Sequence, residues 1–516
     1  MRSLPAEFAA YKWAPSTAEL ARRAGLDPIE IIRFDGNVPA LPNPTARPAT
    51  VAAALAAANE YAHGGYPELL AAIARYAGVA PENIVLGAGA DDLILLCART
   101  FAGAGDEVAI VPEQTYPLFR TALGLAGAVL AGATVEDNAP AFTFCCRPNN
   151  PTGELVPLPE ARPLVVDEAY WEYSQTESAV GLIEDGVVVI RTFSKAFGLA
   201  GARVGYAVAD AETAAELNRR QAPLPVSTLS AALALAALAS PPDVTPQIGE
   251  RERLAEEVRK LGLDPLPSWT NFLCVPVAEP EALGEALLGD GVVVRVQPGA
   301  IRFSVRDRAD DDLLLQALAR ALEHPSYRLQ LGNNRAARHL RVTAETRMRV
   351  RLSLDGAGRV RVATGAGLYD HLLEQLAFHG GLDLDLEGVG DLETGDHHTA
   401  EDAALSLGEA LDRALGGRRG IARYGGGEVP MDDALARASV DLGGRPWAEL
   451  RIDPEPGMAS HMLTSLAQAG RLAIHVEAKG QDSHHTAEAA FKAVGRALRA
   501  ALKPEGDALP STKGLL

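Results

Sequence analysis

Two stretches of this sequence carry side chains spaced for chemistry. The pentapeptide HHTAE occupies 397–401 and recurs, letter for letter, at 484–488. Histidine is scarce, 11 in 516 residues, so four of them in one repeated motif need a common cause. On a helix His397 and Glu401 lie four apart and His398 and Glu401 three apart, so each pair can share a face. The two adjacent imidazoles diverge by about 100°. They cannot readily chelate one ion, but each can serve a different ion, with the glutamate available to one of them. Each copy also has a histidine upstream, His371 in YDHLLEQLAFHG and His461 in ASHMLTSLAQAG, 26 and 23 positions before the first histidine of its motif. The pooled set is His371, His397, His398, Glu401, His461, His484, His485 and Glu488. Six imidazoles and two carboxylates are enough for a two-metal centre. A lone HHxxE reads more simply as a solvated helix face; the second copy, with its own upstream histidine, turns the argument toward metal.

The other stretch lies between 80 and 210. GAGADD (87–92) leaves a strand and enters a helix, where free backbone N–H groups can cradle a phosphate. VVDEAY places Asp167 at a strand end, and RTFSKAFGLAGARVGY follows another apolar strand with Ser194, Lys195 and Arg203. Each feature alone is ordinary: a capped turn, a solvated carboxylate, a surface lysine. Together they crowd one edge of one domain.

The elements that must position these groups follow from the pattern. NIVLGAG, EVAIVPE, AFTFCCRP, PLVVDEAYW, GVVVIRTFSK and RVGYAVAD are short apolar runs separated by Ala/Leu-rich helical stretches. That alternation predicts a mainly parallel sheet covered by helices, with ligands at the carboxyl ends of its strands. Further on, ADDDLLLQALARALEH ends a helical pattern and TRMRVRLSLDG begins a strand-like alternation. Only His63 and His324 precede residue 325, nine histidines fall in 339–485, and all four cysteines lie on the other side of the crossover. We expect domains at 1–324 and 338–516 joined by a linker at 325–337. The second is an internal duplication of a sheet-plus-helix unit, each half continuing from its motif into a helix, AALSLGEAL or AAFKAVGRAL.

RPNNPTG, VVDEAY and TFSKAFGLAGARVGY, spaced through one α/β domain, resemble the signature of the fold-type-I pyridoxal-phosphate aminotransferases. Within that class the lengths and motifs look most like histidinol-phosphate aminotransferase, over roughly 30–320. The resemblance implies a large and a small domain, pyridoxal phosphate and a dimer. It implies that Lys195 links covalently to the cofactor and then carries the proton between substrate and cofactor, while Asp167 pairs with the ring nitrogen. Asn150 and Tyr170 would bond the ring's phenolic oxygen, and Tyr116 would stack on the ring. Ser194, Arg203 and the backbone at Ala90 and Asp91 would hold the phosphate, with Tyr61 reaching the phosphate of a neighbouring subunit. Arg302 in IRFSVRDR would clamp the substrate carboxylate. The chain departs from the family in the short interval, 17 positions, from Asn150 to Asp167. It also reads FDGNVPALPNP where the family has NENP, keeping Asn37, a substrate-side residue, but not the glutamate.

GDHHTAED, VPMDDALARASVDLGGRPW, KGQDSHHTAEAAFKA and LPSTKG resemble imidazoleglycerol-phosphate dehydratase, over roughly 338–516. That resemblance implies two Mn²⁺ ions and sites formed between subunits of a large symmetric cage; the ligands alone permit manganese without preferring it. It also implies acid–base work for a carboxylate, Glu345 with Glu401 and Glu488 as rivals, and phosphate binding by Arg423, Arg445, Lys492, Ser511 and Lys513. LDLDLEG (382–388) echoes the DxD of haloacid-dehalogenase phosphatases but lacks the following Gly-Thr, and we reject it.

The two resemblances support one another, because the dehydratase product, imidazole-acetol phosphate, is the keto acceptor of that aminotransferase. The expected activity is bifunctional, in histidine biosynthesis. The alternative is a dehydratase fused to an aminotransferase for another acceptor, an aromatic keto acid or a different phosphorylated compound. A pyridoxal-phosphate-sensing regulator would need a DNA-binding segment, and the net charge of −19 opposes nucleic acid. A metal-storage cage would leave the phosphate-binding positions without purpose. No run of eighteen apolar residues suggests a membrane span. The N-terminus shows no secretion signal, and Cys97, Cys145, Cys146 and Cys274 have no framework or zinc spacing, so we expect a cytoplasmic enzyme.

Overall fold

The computed structural model describes residues 14–26, 28, 31–40, 43, 45–46, 48–131, 140–324, 335–356, 358–506 and 508–511. They divide into two compact units, Met1–Leu329 and Gln330–Leu516. Among the described residues no helix is long and apolar enough to cross a membrane.

The first unit is built on a seven-stranded sheet: β1 Ile84–Gly87, β2 Glu107–Val111, β3 Val129–Leu130, β4 Phe142–Cys146, β5 Leu164–Asp167, β6 Val187–Thr192 and β7 Gly205–Val208. Their spatial order is β1-β7-β6-β5-β4-β2-β3. All run parallel except β7, which is antiparallel to both neighbours. Every residue of β4, β5 and β6 is buried, as a sheet covered on both faces requires. The carboxyl ends of β1, β5 and β6 lead into α1 (Ala90–Phe101), into Asp167 and toward Lys195. A smaller antiparallel sheet, Arg295–Gln297 with Ala300–Ser304 and Phe272–Pro276, carries Arg302 opposite Cys274. Ile32–Arg33 pairs in parallel with Val292–Val293.

The second unit is a duplication visible strand by strand. Its first half holds β8 Ala336–Val342, β9 Thr346–Ser353, β10 Val360–Ala363, α2 Gly367–Gly380, β11 Asp383–Gly390 and α3 His397–Leu415. Its second half holds β12 Tyr424–Met431, β13 Ala434–Asp441, β14 Trp447–Asp453, α4 Ala459–Ala469, β15 Ala473–Lys479 and α5 Ser483–Ala501. The sheet orders, β8-β9-β11-β10 and β12-β13-β15-β14, are the same, with one parallel pair in each. β8 begins two residues inside the expected linker. In β9 Thr346, Met348, Val350 and Leu352 point into the core and the arginines between them point out, the alternation the sequence spells. All of LDLDLEG but Leu382 lies on β11, where Asp383 pairs with Arg359 just before β10 and Asp385 with Arg361 on β10. They have a structural role.

Helices pair across the halves, α2 with α5 and α3 with α4. Equivalent glycines permit both crossings. A Cβ on Gly495 would fall 2.3 Å from the Leu376 carbonyl oxygen, and one on Gly408 would fall 2.8 Å from that of Leu466. The two halves therefore share one continuous apolar core, and their histidines interleave.

Candidate active site and metal centre

Lys195 follows β6 on a tight turn, half-buried, with its Nζ 3.3 Å from the Gly36 carbonyl oxygen and 5.5 Å from the centre of the Tyr170 ring. Burial, reinforced by the Arg302 guanidinium, pushes its amine down to about 8. Asp167 is 5 % exposed at the end of β5, and its Oδ1 accepts the Ala169 N–H at 3.0 Å. Burial pushes its carboxyl up to about 7. No cationic side chain of the described residues stands in ion-pair contact with it. Such a carboxylate is poised for a cationic partner, and a protonated ring nitrogen is one.

The turn before α1 is shaped for an anion. Gly89 has φ +90°, and a Cβ there would fall 2.6 Å from Arg203 Nη2. No side chain caps α1 at Gly89, so N–H groups of its first turn, at Ala90 and Asp91, stay available. Arg203 pairs with Asp91 at 3.2 Å, Tyr116 donates its hydroxyl to Asp91 Oδ1 at 3.1 Å, and Ser194 is fixed by Thr192 at 3.0 Å. Together with the buried Asp167 and the Lys195 amine, this cradle fits pyridoxal phosphate.

Across the site, Arg302 comes from the small sheet. Its Nη1 donates to Asn150 Oδ1 and its Nη2 to the Asp35 carbonyl at 3.3 Å, while its buried Nε has no partner. Desolvation lowers this guanidinium below the usual range. A buried guanidinium without a carboxylate partner is incomplete until an acid is bound. Asn37, held at φ 52°, donates its Nδ2 to the Tyr170 hydroxyl at 3.0 Å and leaves its buried Oδ1 without a partner. Lys195, Asp167, Tyr170, Asn37, Asn150 and Arg302 are thus brought to one site. Tyr61 lies outside it, its side chain 80 % exposed.

Sequence reasoning missed the buried support behind Asp167. Glu168 accepts from Arg191 Nη2 at 3.0 Å and from the Ser178 hydroxyl at 2.7 Å, and the Arg191 guanidinium lies 3.8 Å from the centre of the Trp171 ring. An arginine inside the apolar run VVVIRT was the available signal.

In the second unit the eight candidate ligands sort into two crossed triads and two outliers. One triad joins His371 of the first half to His484 and Glu488 of the second; the other joins His461 of the second to His397 and Glu401 of the first. Within each, the three ligand atoms lie within 4.8 Å of one another. Glu488 stands 3.5 Å from His371 and 3.4 Å from His484, and Glu401 stands 3.6 Å from His397 and 3.3 Å from His461. Mixed imidazole and carboxylate donors at this spacing fit a divalent transition ion and leave coordination positions open.

His398 and His485 belong to neither triad. His398 Nδ1 lies 3.0 Å from Asp391 and His485 Nδ1 lies 2.6 Å from Asp433. These hydrogen bonds raise both imidazoles above their ordinary range. A carboxylate on Nδ1 leaves Nε2 as the atom an ion can use. Glu345 is exposed, 3.8 Å from His398, and it alone of the three candidate acid–base carboxylates lies outside the triads. Lys492 is not free: its Nζ pairs with Glu488 at 2.8 Å. Arg423 is buried and grips Asp441 at 2.7 Å and the Pro510 carbonyl at 2.9 Å, whereas Arg445 is exposed. Ser511 is half-buried beside that carbonyl's residue, and Lys513 falls outside the described residues.

Comparison with known proteins matches both units. The model of the family "Aminotransferase class I and II" matches residues 30–318, and that of "Imidazoleglycerol-phosphate dehydratase" matches 364–498. Imidazoleglycerol-phosphate dehydratase of Salinispora arenicola is 48% identical over 202 residues, 36% of this chain and 100% of the relative. That of Methanothermobacter thermautotrophicus is 47% identical over 184 residues, 34% of this chain and 95% of the relative. The first unit is similar to histidinol-phosphate aminotransferase of Sinorhizobium meliloti, solved with pyridoxal 5′-phosphate: TM-score 0.54, 28% identity, covering 60% of this chain and 95% of the other. L-threonine-O-3-phosphate decarboxylase of Porphyromonas gingivalis shares the fold at 21% identity and TM-score 0.50, covering 57% of this chain and 100% of that one.

Proposed function

This chain belongs to the class I and II aminotransferases and to the imidazoleglycerol-phosphate dehydratases, and from that premise we propose that it performs two consecutive steps of histidine biosynthesis. The second unit dehydrates imidazoleglycerol phosphate to imidazole-acetol phosphate. The first transaminates that ketone with glutamate to histidinol phosphate, releasing 2-oxoglutarate. What carries the reading is one chain holding both the crossed triads and the Lys195–Asp167–Arg302 set, where the product of one reaction is the acceptor of the other. We place the domains at 1–324 and 338–516 with a linker at 325–337, in a cytoplasmic enzyme with no nucleic-acid or membrane partner.

In the first unit, pyridoxal phosphate, when bound, supplies an electron-accepting ring. Lys195, with its amine near 8, holds a usable neutral fraction at physiological pH, as covalent attachment needs. Its Nζ then takes the proton from the substrate Cα and delivers it to the cofactor. Asp167 keeps the proton on the ring nitrogen, Tyr170 and Asn150 hold the phenolic oxygen, and Tyr116 covers the ring. Ser194, Arg203 and the first turn of α1 hold the phosphate. Arg302 binds the glutamate carboxylate as a fork, with Asn37 beside it. The exposed Tyr61 serves the phosphate of a second copy, in a dimer.

In the second unit each triad would hold one Mn²⁺, with His398 or His485 of a neighbouring copy in a symmetric cage as a further ligand. Both imidazoles stand outside the triads and only half-buried, which supports that reading. The ions, when bound, favour the deprotonated, electron-rich imidazole of the substrate. Glu345 takes the proton from the second carbon out from that ring, the hydroxyl on the carbon beside the ring leaves as water, and the resulting enol tautomerises to the ketone, while Glu401 and Glu488 serve as ligands. Arg423, Arg445, Lys492, Ser511 and Lys513 orient the phosphate.

One reaction tests both halves: protein with Mn²⁺, pyridoxal phosphate, glutamate and imidazoleglycerol phosphate, followed by mass spectrometry. Histidinol phosphate accumulates, Lys195→Ala stops the reaction at the ketone, and chelation removes dehydration while leaving transamination of added ketone. Accumulation of the ketone by the unmutated protein, with faster turnover of phenylpyruvate, would reassign the first unit to another acceptor.

A further inference from the structure

The duplication supplies its own control for a feature outside both metal triads. His397 and His484, and likewise Glu401 and Glu488, are separated by the same offset of 87. At that offset Leu405, Glu409, Asp412 and Gly416 in and after α3 correspond to Lys492, Arg496, Arg499 and Lys503 in and after α5. One half carries two acids where the other carries four cations. The acids of the first half are answered within their own fold: Glu409 meets His339 at 3.1 Å and Arg341 at 3.9 Å, and Asp412 meets Arg418 and, at 3.9 Å, Arg471. Arg496, Arg499 and Lys503 are exposed and have no ion-pair partner among the described residues.

These three cations line a cavity of about 760 Å³ with His379 of α2 and backbone at Gly381 and Gly426. The acid on its wall, Asp355, is already gripped by Arg335. Arg496 and Arg499 lie three apart on one face of α5, and Lys503, two residues past its end, lines the same cavity. Cations suit any helix C-terminus, but α3 ends without such a stripe, so the fold does not demand it. Gly381 keeps the wall low: a Cβ there would lie 3.5 Å from Arg499 Nε. The cavity also shares the α2–α5 seam with a triad. His379 stands two turns beyond His371, and Arg496 two turns beyond Glu488, about 12 Å along the helix.

We propose that this cavity is a second anion site, for a small phosphate monoester, separate from the metal-binding and phosphate-orienting residues assigned above. Two guanidinium groups, an ammonium and an imidazole suit a phosphate dianion, and the volume admits a small metabolite. The ligand class rests on the dehydratase reading, since the substrate and product of that reaction both carry such a group. Its position holds the anion beside the seam that leads to the His371–His484–Glu488 triad.

The test is isothermal titration of the full chain with glycerol 3-phosphate at low salt, against an Arg496→Gln, Arg499→Gln, Lys503→Gln variant. The unmutated protein should bind one more equivalent per chain than the variant, and about 300 mM salt should weaken that extra step at least ten-fold. Inorganic phosphate binding the same step equally well marks a site that reads the phosphate group itself; tighter binding of the ester marks contacts from the cavity wall. The variant keeps the kcat of dehydration. Equal stoichiometry in the two proteins, or the same loss in the charge-preserving Arg496→Lys, Arg499→Lys variant, overturns the proposal. Failure of the dehydratase reading looks different: no turnover, with the extra equivalent still present.

Discussion

Lys195, Asp167 and Arg302 share one condition, a charged group held where water is scarce and a partner is missing. For Asp167 the sign of the consequence follows from linkage. Its folded pKa, about 7, lies above its ordinary value of 3.8. The stability it contributes is complete below the ordinary value and is lost as pH rises through about 7. Asp167→Asn should therefore stabilise the cofactor-free first unit at pH 8, by about 2–4 kcal/mol, with the gain vanishing near pH 4. Thermal unfolding of the two proteins at both pH values checks this; a variant less stable at pH 8 contradicts it. With pyridoxal phosphate bound the order reverses, because the buried carboxylate then has its cation. Arg302→Gln should lower kcat/KM for glutamate about 10²–10³-fold and leave dehydration unchanged, since the role proposed for the guanidinium is binding the first unit's substrate.

At the scale of elements, the metal centre depends on helix crossings. Each triad takes one histidine from the start of a short helix (α2 or α4) and two ligands from the first turns of a long one (α5 or α3). Gly495 sets the α2–α5 distance, because any Cβ there meets the Leu376 carbonyl. Gly495→Ala should destabilise the second unit by about 1–3 kcal/mol in urea unfolding. It should weaken metal binding at the His371–His484–Glu488 triad more than at its counterpart. The apolar runs of β4, β5 and β6 were legible because parallel strands buried on both faces read as continuous apolar stretches. The short Val129–Leu130 strand was not: two exposed residues have no period. A helix through HHTAE was legible from its i, i+4 logic, but its start at His397 was not.

At the scale of the whole molecule, the two outlying histidines make a prediction about assembly. His398 and His485 are held by Asp391 and Asp433, away from the triads of their own chain. If they complete sites on neighbouring copies, His397→Ala and His398→Ala chains are each inactive in dehydration. Co-assembled from unfolded mixtures they should recover a measurable fraction of activity, because some sites draw neither mutation. Absence of recovery in a mixed assembly that forms normally would confine each site to one chain. The two activities should otherwise separate: chelation should abolish dehydration alone, and Lys195→Ala transamination alone.

The sequence by itself determined the two chemistries. Lys195 after an apolar strand, Asp167 at the end of another, and a doubled HHTAE with an upstream histidine are local patterns, and strand ends and helix faces follow from local spacing. It also determined the duplication, since both halves repeat their motifs in order. Only the tertiary structure decided which candidate ligands come together, because His371 joins His484 and Glu488 across more than a hundred residues and through a helix crossing that no periodicity encodes. It alone removed His398 and His485 from the triads and bound Lys492 to Glu488. It likewise left the Nε of Arg302 buried and unpaired. Those outcomes depend on what packs against each group, and packing is settled between elements distant in the chain.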